Sequence, residues 1–321
     1  MGTWAYIARK VLAAIGTIVF VLTFNFVLFR VMPGDPVAIL ARSERLTDAD
    51  VAALRESYGL DEPILRQYRI YVRQVLSGNL GVSLRSPQTV SSMIQERVWP
   101  TVLLVGLGTL FATMIGLAIG IKGAWRRRSR FDRSTLLGGL VLYSMPEGWL
   151  GMLLLLVFAG TLGWFPAGGY ETGGLTGIDR VVDIMNHLFL PVLTLTLGYV
   201  GEYALVMRSS LIEVMDEPFV DTARAKGVPD TWVRRHHAVP NALLPSFTLI
   251  LLSFGFVLGG SIIVESVYSW PGLGLLTYDA IRQLDYPVLQ GVFLVTSAAV
   301  ILVNLIADLT YGYLDPRIRE A

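Results

Sequence analysis

Six long apolar runs constrain this chain more than any other feature of its sequence. A hydrocarbon core of roughly 30 Å requires about 20 apolar residues in a helix that crosses it. The runs cover residues 11–29, 100–121, 135–156, 188–207, 242–264 and 286–307, and only Glu147 and Glu202 place charges inside them. Backbone groups in lipid must be paired within the segment, and these runs far exceed barrel strands. The sequence therefore predicts an all-α membrane protein with six transmembrane helices.

The composition excludes several other classes of protein. Only 16% of the residues are charged and 53% are hydrophobic, whereas soluble domains average about 25% charged residues, so a water-soluble enzyme is excluded. A net charge of +1 gives no basic excess for nucleic acid. The chain has no cysteine and three histidines, so disulfides, thiolate nucleophiles and Cys-ligated metals are excluded and little is left for a metal site.

The first apolar run follows Arg9 and Lys10, as the apolar stretch of a signal peptide would. It is too long for such a stretch, and no small-residue cleavage site follows it. We therefore expect this run to be retained as the first transmembrane helix.

The distribution of basic residues predicts the orientation in the membrane. Residues 122–133 carry six basic side chains, whereas residues 163–187 carry only Arg180 and residues 265–285 only Arg282. Short loops rich in Lys and Arg stay in the cytoplasm, so the arginine-rich turn is expected there. Six helices then place both termini in the cytoplasm. Residues 30–99 hold nine basic residues on the outside, but a stretch of that length is exempt from the rule.

The long stretch after the first run carries signals for several short helices. Val51, Leu54 and Tyr58 share one helical face, and Gly59 ends that segment. A second helix is expected after Pro63, because apolar residues recur at helical spacing until Gly78. Residues 90–97 suggest a third, which leads into the second run. These segments form either a packed cap or a surface that contacts a ligand or partner.

The loop of residues 208–240 has a distinct pattern. Residues 219–226 predict a short helix that Gly227 ends, and residues 230–238 predict a second helix opened by Pro229 and Asp230. We name residues 219–240 the elbow. The pattern of the elbow resembles the cytoplasmic loop signature of ABC-importer permeases: Glu-Ala-Ala, three residues, Gly, nine residues, Ile, one residue, Leu-Pro. The matching positions here are Asp221, Thr222, Ala223, Gly227, His237, Val239 and Pro240. The spacing is the same as in the family signature. The residue type differs from the signature at four positions: Asp221, Thr222, His237 and Val239.

Further blocks narrow the resemblance to dipeptide and oligopeptide importers, and specifically to the first of their two permease subunits. They are Pro33-Gly34-Asp35-Pro36, residues 58–63, residues 76–81, residues 264–274, Asp285-Tyr286-Pro287, Gln290-Gly291, Asn304-Leu305 with Asp308, and Asp315-Pro316-Arg317. The blocks cover nearly the whole chain in a common order. The resemblance implies a type I permease fold with helix 1 in residues 1–35, a helical extracytoplasmic region in residues 36–98, and a core of helices 2–6 in residues 99–321 that includes the loop 208–240.

The resemblance also implies partners: a second permease subunit, two ATP-binding subunits or one fused pair, and an extracytoplasmic binding protein that delivers a peptide. Peptides are the implied cargo; the same architecture also imports nickel complexes and other small solutes. ATP and Mg would be bound by the partners, because none of Lys10, Lys122 and Lys226 follows a glycine as in a phosphate-binding loop. This chain would then hold no catalytic residue, cofactor or metal.

Two rival functions are an intramembrane hydrolase and a passive channel. The hydrolase reading lacks support, since no His is followed by Glu and no Gly-x-Ser-x-Gly occurs. A channel would need no elbow to receive an ATPase.

The carboxylates within the runs are the candidates for the translocation path. Glu147 lies about 14 residues into the third run, or on the order of 20 Å from its cytoplasmic start. A bare carboxylate in lipid costs at least a few kcal/mol, so Glu147 should face protein or water. It either attracts the α-ammonium group of a peptide or pairs with a neighbouring helix. Glu202 is closer to a helix end, where a structural partner such as an arginine is favoured.

Overall fold

A computed structural model describes residues 3–31, 47 and 62–314 of this chain, and nearly all of these residues are helical. The helices are α1 (Thr3–Val31), α2 (Ile64–Leu76), α3 (Val90–Trp125), α4 (Arg130–Ser144), α5 (Glu147–Leu154), α6 (Gly177–Met215), α7 (Pro218–Ala225), α8 (Asp230–Val233), α9 (Val239–Phe256), α10 (Ile262–Val267), α11 (Leu273–Gln283) and α12 (Tyr286–Leu314). Two π-helical segments, Leu155–Thr161 and Arg234–Ala238, and one 3₁₀ turn, Val257–Gly259, extend α5, α8 and α9.

Five helical stretches in the described residues are long and apolar enough to cross a membrane, and a bent pair of helices makes a sixth. The five are Trp4–Phe29, Val90–Trp125, Gly177–Met215, Asp230–Gly255 and Tyr286–Thr310. The bent pair joins α4 to α5 with its π-helical extension. The prediction of an all-α membrane protein is confirmed.

The first of two compact units comprises Met1–Trp99 and Leu276–Ala321. In this unit α1 packs along α12. The hydroxyl of Tyr6 donates to the backbone oxygen of Asp308, and the Asp308 carboxylate pairs with Lys10 at 2.9 Å. Toward the other end of α1, the buried amide of Asn25 donates to the backbone oxygen of Gln290. Polar groups in apolar helices thus hold α1 and α12 together.

The second unit, Pro100–Leu275, is built on close helix contacts at small residues. A side chain at Gly116 or Gly120 of α3 would collide with the backbone of α6 at Val200 or Ala204. Between α4 and α6, Gly139 faces Gly201 backbone to backbone. Small residues of this kind let helices approach closely. Such packing matters in lipid, because no hydrophobic driving force brings the helices together there. The long helix α6 is accordingly the centre of this unit and contacts α4, α5 and α9.

The structure differs from the sequence prediction at four places. The loop predicted for residues 208–240 begins later, because the long helix α6 continues to Met215. The run 135–156 is not one helix, because the chain turns by 98° between α4 and α5, where extended Met145 precedes Pro146. The run 242–264 ends early, since α9 stops at Phe256 and Gly260 has a positive φ of 70°. The third predicted short helix is the start of α3, which continues through Pro100 without a break.

One of the other predicted segments matches α2, with Pro63 as its N-cap and Gly78 at φ 77° just beyond it. The predicted helix of residues 51–58 and the sequence blocks 33–36 and 315–317 lie outside the described residues.

Candidate functional site

The first helix of the elbow ends as the sequence predicts. Gly227 has a φ of 76°, and its backbone N–H donates to the oxygen of Arg224 at 2.9 Å. The N–H of Val228 donates to the oxygen of Ala223 at 3.3 Å. This pair of bonds is a Schellman motif, which satisfies the last carbonyls of a helix and favours glycine at the left-handed position. The turn between α7 and α8 is therefore fixed by backbone geometry.

The inner side of the elbow is a small apolar cluster. Val220, Ala223 and Val233 are buried against one another, and Val228 packs on them. Only 9% of the surface of Ala223 is exposed, so this residue does not offer the backbone of another protein a place to approach. Its small side chain instead lets α7 approach α8. The cluster makes the elbow one compact unit.

The outer side of the elbow presents charges and two large aromatic side chains. Asp221, Thr222 and Gly227 are exposed. Phe219 and Trp232 are 41% and 44% exposed, and the ring of His236 stacks on Trp232 with centroids 4.5 Å apart. Aromatic residues are enriched in the central parts of protein–protein interfaces. The outer side therefore has the composition of a docking surface.

Arg224 ties the charges of this surface together. Its guanidinium lies 3.3 Å from the carboxylate of Asp230 and 3.5 Å from that of Asp221. These are exposed contacts and contribute little to stability. They orient the side chain of Asp221, which matches the first position of the permease loop signature.

The second half of the elbow is anchored in the membrane core. The helix that starts at Asp230 runs through the π-helical segment into α9 without interruption. The hydroxyl of Ser210 in α6 donates to the backbone oxygen of Ala242 at 2.9 Å. Around this bond lies a buried cluster of Ala124, Met207, Leu211, Ala238 and Ala242, against which Val239 packs. The guanidinium of Arg234 lies over the Trp125 ring at 5.1 Å. The elbow is thus joined to α3 and α6 as well as to α9.

The remaining signature positions serve the elbow itself. The His237 ring packs edge-on against Trp232, with centroids 4.9 Å apart. The backbone oxygen of His237 accepts from the Asn241 amide at 2.7 Å. Pro240 is exposed in the first turn of α9. Thus His237 packs against the exposed Trp232 and helps to hold its ring in place.

An ion pair that the sequence analysis missed joins α4 to α6. Asp132 in the first turn of α4 is 3% exposed and forms two bonds with Arg208 of α6. The same carboxylate accepts from the backbone N–H of Arg128 at 2.8 Å, and Ser129 caps the helix. Asp132 is the single acidic residue in the arginine-rich stretch 122–133. That contrast was the available signal for a structural role.

Glu147 and Glu202 both lie near Tyr199 of α6. Glu147 is the first residue of α5, its Cγ lies close to Gly198, and the hydroxyl of Ser261 is 3.5 Å from its carboxylate. The hydroxyl of Tyr199 interacts with Glu147 and, more weakly, with Glu202. Glu202 is half-buried and makes no ion pair or hydrogen bond within residues 62–314. The arginine partner expected for it is therefore not found in that range.

The position of Glu147 also differs from the sequence estimate of depth. That estimate assumed a straight helix from the cytoplasmic start of the run. The carboxylate instead stands directly after a sharp bend, at the N-terminus of α5. An acidic side chain is favourable in the first turn of a helix. This placement leaves Glu147 half-buried and does not expose it to lipid along a straight span.

Two family profiles match the chain. Residues 3–105 match the N-terminal part of binding-protein-dependent transport system membrane components. Residues 108–320 match the binding-protein-dependent transport system inner membrane component. The chain belongs to this family. It is a multi-pass inner membrane permease component, and systems of this kind work with a substrate-binding protein and ATPase partners.

Individual relatives of this permease component align over nearly their full length. A protein of Brucella suis biovar 1 named as a peptide permease is 40% identical, over 98% of both chains. The glutathione transport system permease protein of Salmonella typhimurium is also 40% identical over 98% of both chains. The protein of the same name from Escherichia coli O6:H1 is 38% identical, again over 98% of each chain.

A buried carboxylate in this permease component also escaped the sequence analysis. Glu265 of α10 is fully buried. Its two oxygens accept from the hydroxyl of Thr101 at 3.1 Å and from the backbone N–H of Leu275 at 2.9 Å. The Trp270 indole donates to the backbone oxygen of Pro100 at 2.9 Å. These bonds join the α10–α11 connection to α3.

Three glycines surround the carboxylate of Glu265. A side chain at Gly260, Gly272 or Gly274 would collide with it. Burial raises the pKa of the Glu265 carboxyl above its ordinary value. The sequence block 264–274 contains Glu265, Gly272 and Gly274. Its residues alone do not reveal that the glutamate points inward.

Proposed function

We propose that this chain is a permease subunit of an ATP-driven importer and that it carries short peptides across the cytoplasmic membrane by alternating access. The peptide cargo rests on the names of the relatives, which include peptide and glutathione permeases over the full chain. Glutathione is itself a short peptide. The reported relatives are named for peptide or glutathione transport, so the alternative of nickel complexes has less support.

The elbow is the proposed contact with the ATPase partners. The observation that carries this proposal is that the elbow has a packed inner side and an exposed aromatic outer side. Its inner side is packed and continuous with α9, while its outer side exposes Phe219 and Trp232 beside charged side chains. A rigid unit joined to three membrane helices transmits a displacement of its docked partner to them. Rocking of helices against one another is a common form of such transitions.

The further parts of the assembly follow from this proposal. ATP and Mg are bound by the partner ATPase subunits, and this chain contributes no catalytic residue. A second homologous permease subunit completes the path. The arginine-rich turn 122–133 and the elbow lie in the cytoplasm, as do both termini. The basic residues of that turn support this orientation.

Glu147 and Glu202 are the proposed path residues on the membrane side. The shared neighbour Tyr199 supports their assignment to one polar region of α5 and α6. The Glu147 carboxylate, which lies near the hydroxyls of Ser261 and Tyr199, has two oxygens and retains capacity to accept from an ammonium group. In this proposal Glu147 attracts the positively charged end of a passing peptide.

Uptake of a labelled dipeptide by the reconstituted complex tests the proposed function. We expect Trp232→Ala to reduce uptake at least about fivefold and to weaken retention of the ATPase subunits, because interface aromatics often contribute 2 kcal/mol or more. Trp164→Ala is the matched control, since Trp164 is 66% exposed at a different place in the chain. Equal uptake by both variants would remove the elbow from the mechanism. Absence of peptide uptake by the unmodified complex would reject the peptide cargo alone.

A further inference from the structure

Helix α2 packs against the last two turns of the apolar span of α1. The hydroxyls of Tyr68 and Thr23 are 2.8 Å apart, and the Asn25 amide donates to the hydroxyl of Tyr71 at 3.1 Å. Thr23 is six residues, or about 9 Å, before Phe29, the end of the apolar span. That span has 26 residues, so it is about 39 Å long and exceeds a hydrocarbon core of about 30 Å. These contacts therefore fall near the edge of the hydrocarbon.

The side of α2 that faces α1 and α12 is distinct from a second, exposed side. Gln67 is buried, and Tyr68 and Tyr71 pack their rings on Phe26 at 5.3 and 5.5 Å. The exposed side combines apolar and basic residues at spacings of three, four and seven, which place them together on a helix. These residues are Leu65, Arg69, Val72, Arg73 and Leu76.

The apolar members of this exposed side are unusually open. Leu65 is 74% exposed and Leu76 is 78% exposed. A helix that lies in the interface plane buries such a stripe in the acyl region and holds arginines at the headgroup level. Arginine side chains reach the headgroups by extending their apolar stems along the surface. The arrangement of α2 satisfies both requirements.

The two arginines on this side differ in their partners from the neighbouring Arg66. Arg66, on the next face, is paired with Glu62 at 3.1 Å. Arg69 and Arg73 form no hydrogen bond or ion pair within residues 62–314. Together with Tyr68, Val72 and Leu76 they line one shallow surface groove. A guanidinium pair beside an apolar groove complements a phosphate group that is attached to an acyl chain.

From this arrangement we propose that the α2 groove binds an anionic phospholipid, with the headgroup phosphate between Arg69 and Arg73 and an acyl chain along Val72 and Leu76. The occupant anchors α2 at the interface and thereby the end of α1 against which it packs. This site is independent of the transported solute and of the elbow.

Lipid titration of the purified full-length chain in neutral detergent tests the proposal. The probe is tail-labelled phosphatidylglycerol, with tail-labelled phosphatidylcholine as the neutral comparison. We expect wild type to prefer the anionic lipid on the order of tenfold, since each arginine near a membrane surface adds about 1 kcal/mol. Arg69→Gln combined with Arg73→Gln should abolish that preference, and high salt should reduce it.

Two further variants keep the test specific. Arg66→Gln on the same helix is the matched control, because its charge is already compensated by Glu62, and it should retain most of the preference. Leu65→Ser combined with Leu76→Ser should weaken both lipids alike. All substituted side chains are exposed, and thermal unfolding of each variant verifies that it folds.

Two results would overturn the proposal. One is equal binding of the two lipids by wild type. The other is a full preference for the anionic lipid that survives in the Arg69 and Arg73 variant; loss of association of that variant with the substrate-binding protein would then assign the groove to a protein partner.

Discussion

Asp132 and Arg208 form a bidentate ion pair between α4 and α6, with 2.5 Å from Nε to Oδ1 and 3.0 Å from Nη2 to Oδ2. The Asp132 side chain is 4% exposed and that of Arg208 16%. Arg208 lies in α6, seven residues before that helix ends at Met215. The pair therefore fixes the first turn of α4 against α6, the long helix that precedes the elbow in the chain.

Asp132→Asn should lower the free energy of unfolding by about 3 kcal/mol, because it leaves a largely buried guanidinium without its counter-charge. Denaturant titration in mixed micelles measures this change. Asp216→Asn is the matched control, since Asp216 pairs with Arg127 at 3.4 Å and is 67% exposed. An exposed pair contributes about 0–1 kcal/mol. Similar losses in the two variants would contradict the structural role of Asp132.

Substitution of Gly227 separates backbone geometry from steric access. No atom lies within 4 Å of a Cβ built on Gly227, but its φ is 76°. Gly227→Ala should therefore cost about 1 kcal/mol through backbone strain alone and reduce the coupling of ATP hydrolysis to uptake. Gly227→Asn should be closer to wild type, because asparagine tolerates the left-handed conformation. Assays of hydrolysis and uptake in the same proteoliposomes provide the comparison.

If Asn and Ala at position 227 impair coupling equally, the left-handed backbone is not the critical property. Contact of the partner with the bare glycine would then be the better explanation, since both side chains would obstruct it. Equal activity of all three proteins would exclude both explanations.

Glu147→Gln should reduce uptake of peptides with a free amino terminus severalfold and affect N-acetylated peptides less. The variant removes a negative charge and keeps the shape of the side chain, so only recognition of the ammonium group is lost. Initial uptake rates of the two peptide classes at several concentrations measure the effect. Glu213→Gln is the control, because Glu213 is an exposed acid on the same chain outside the proposed path. Equal reduction for both peptide classes would reject the assignment.

Glu265 predicts a pH dependence of stability with a defined sign. Burial raises the pKa of its carboxyl above the ordinary value of 4.5, so the folded chain holds this proton more tightly than the unfolded chain. Its contribution to stability is complete below pH 4.5 and is lost as the pH rises through the folded-state pKa. Glutamine cannot ionise. The stability of Glu265→Gln relative to wild type should therefore increase between about pH 4 and about pH 7.

Thermal unfolding of both proteins across that pH interval measures the difference. Glu213→Gln again provides the control, because the Glu213 side chain is exposed. Glu265→Ala should lose about 2 kcal/mol or more, because the Thr101 hydroxyl and the Leu275 N–H are left buried without an acceptor. A constant difference between Glu265→Gln and wild type would show that the pKa of this carboxyl is the same in the folded and the unfolded chain, which would contradict the prediction.

The long apolar runs predicted the helices of the membrane core because burial in lipid requires length and apolarity, and both are properties of the sequence alone. The turn at Gly227 was predictable for a similar local reason. The bend before Glu147 was not, since Pro146 permits both a kinked helix and a reversal of direction. The distinction depends on packing of α5 against α6 and α10, which residue spacing does not contain.

The sequence predicted the position of the turn at Gly227 but not the direction in which the neighbouring side chains point. Spacing placed Ala223 in the elbow, whereas its inward direction depends on contacts with Val220 and Val233. The partnership of Asp132 with Arg208 spans 76 residues. Glu265 likewise pairs with Thr101 across 164 residues. Interactions at such separations arise from the tertiary fold, and a single sequence gives no measure of them.

The π-helical segment Arg234–Ala238 sets the angular register between the exposed tryptophan and the membrane span. Such a segment accommodates one more residue than the α-helical turn it replaces. Removal of one residue there would rotate Trp232 by about 100° around the axis relative to α9. The length of the π-helical segment consequently determines the direction in which Trp232 faces around the axis of α9. It thereby determines the direction in which a partner bound at Trp232 would push the helix.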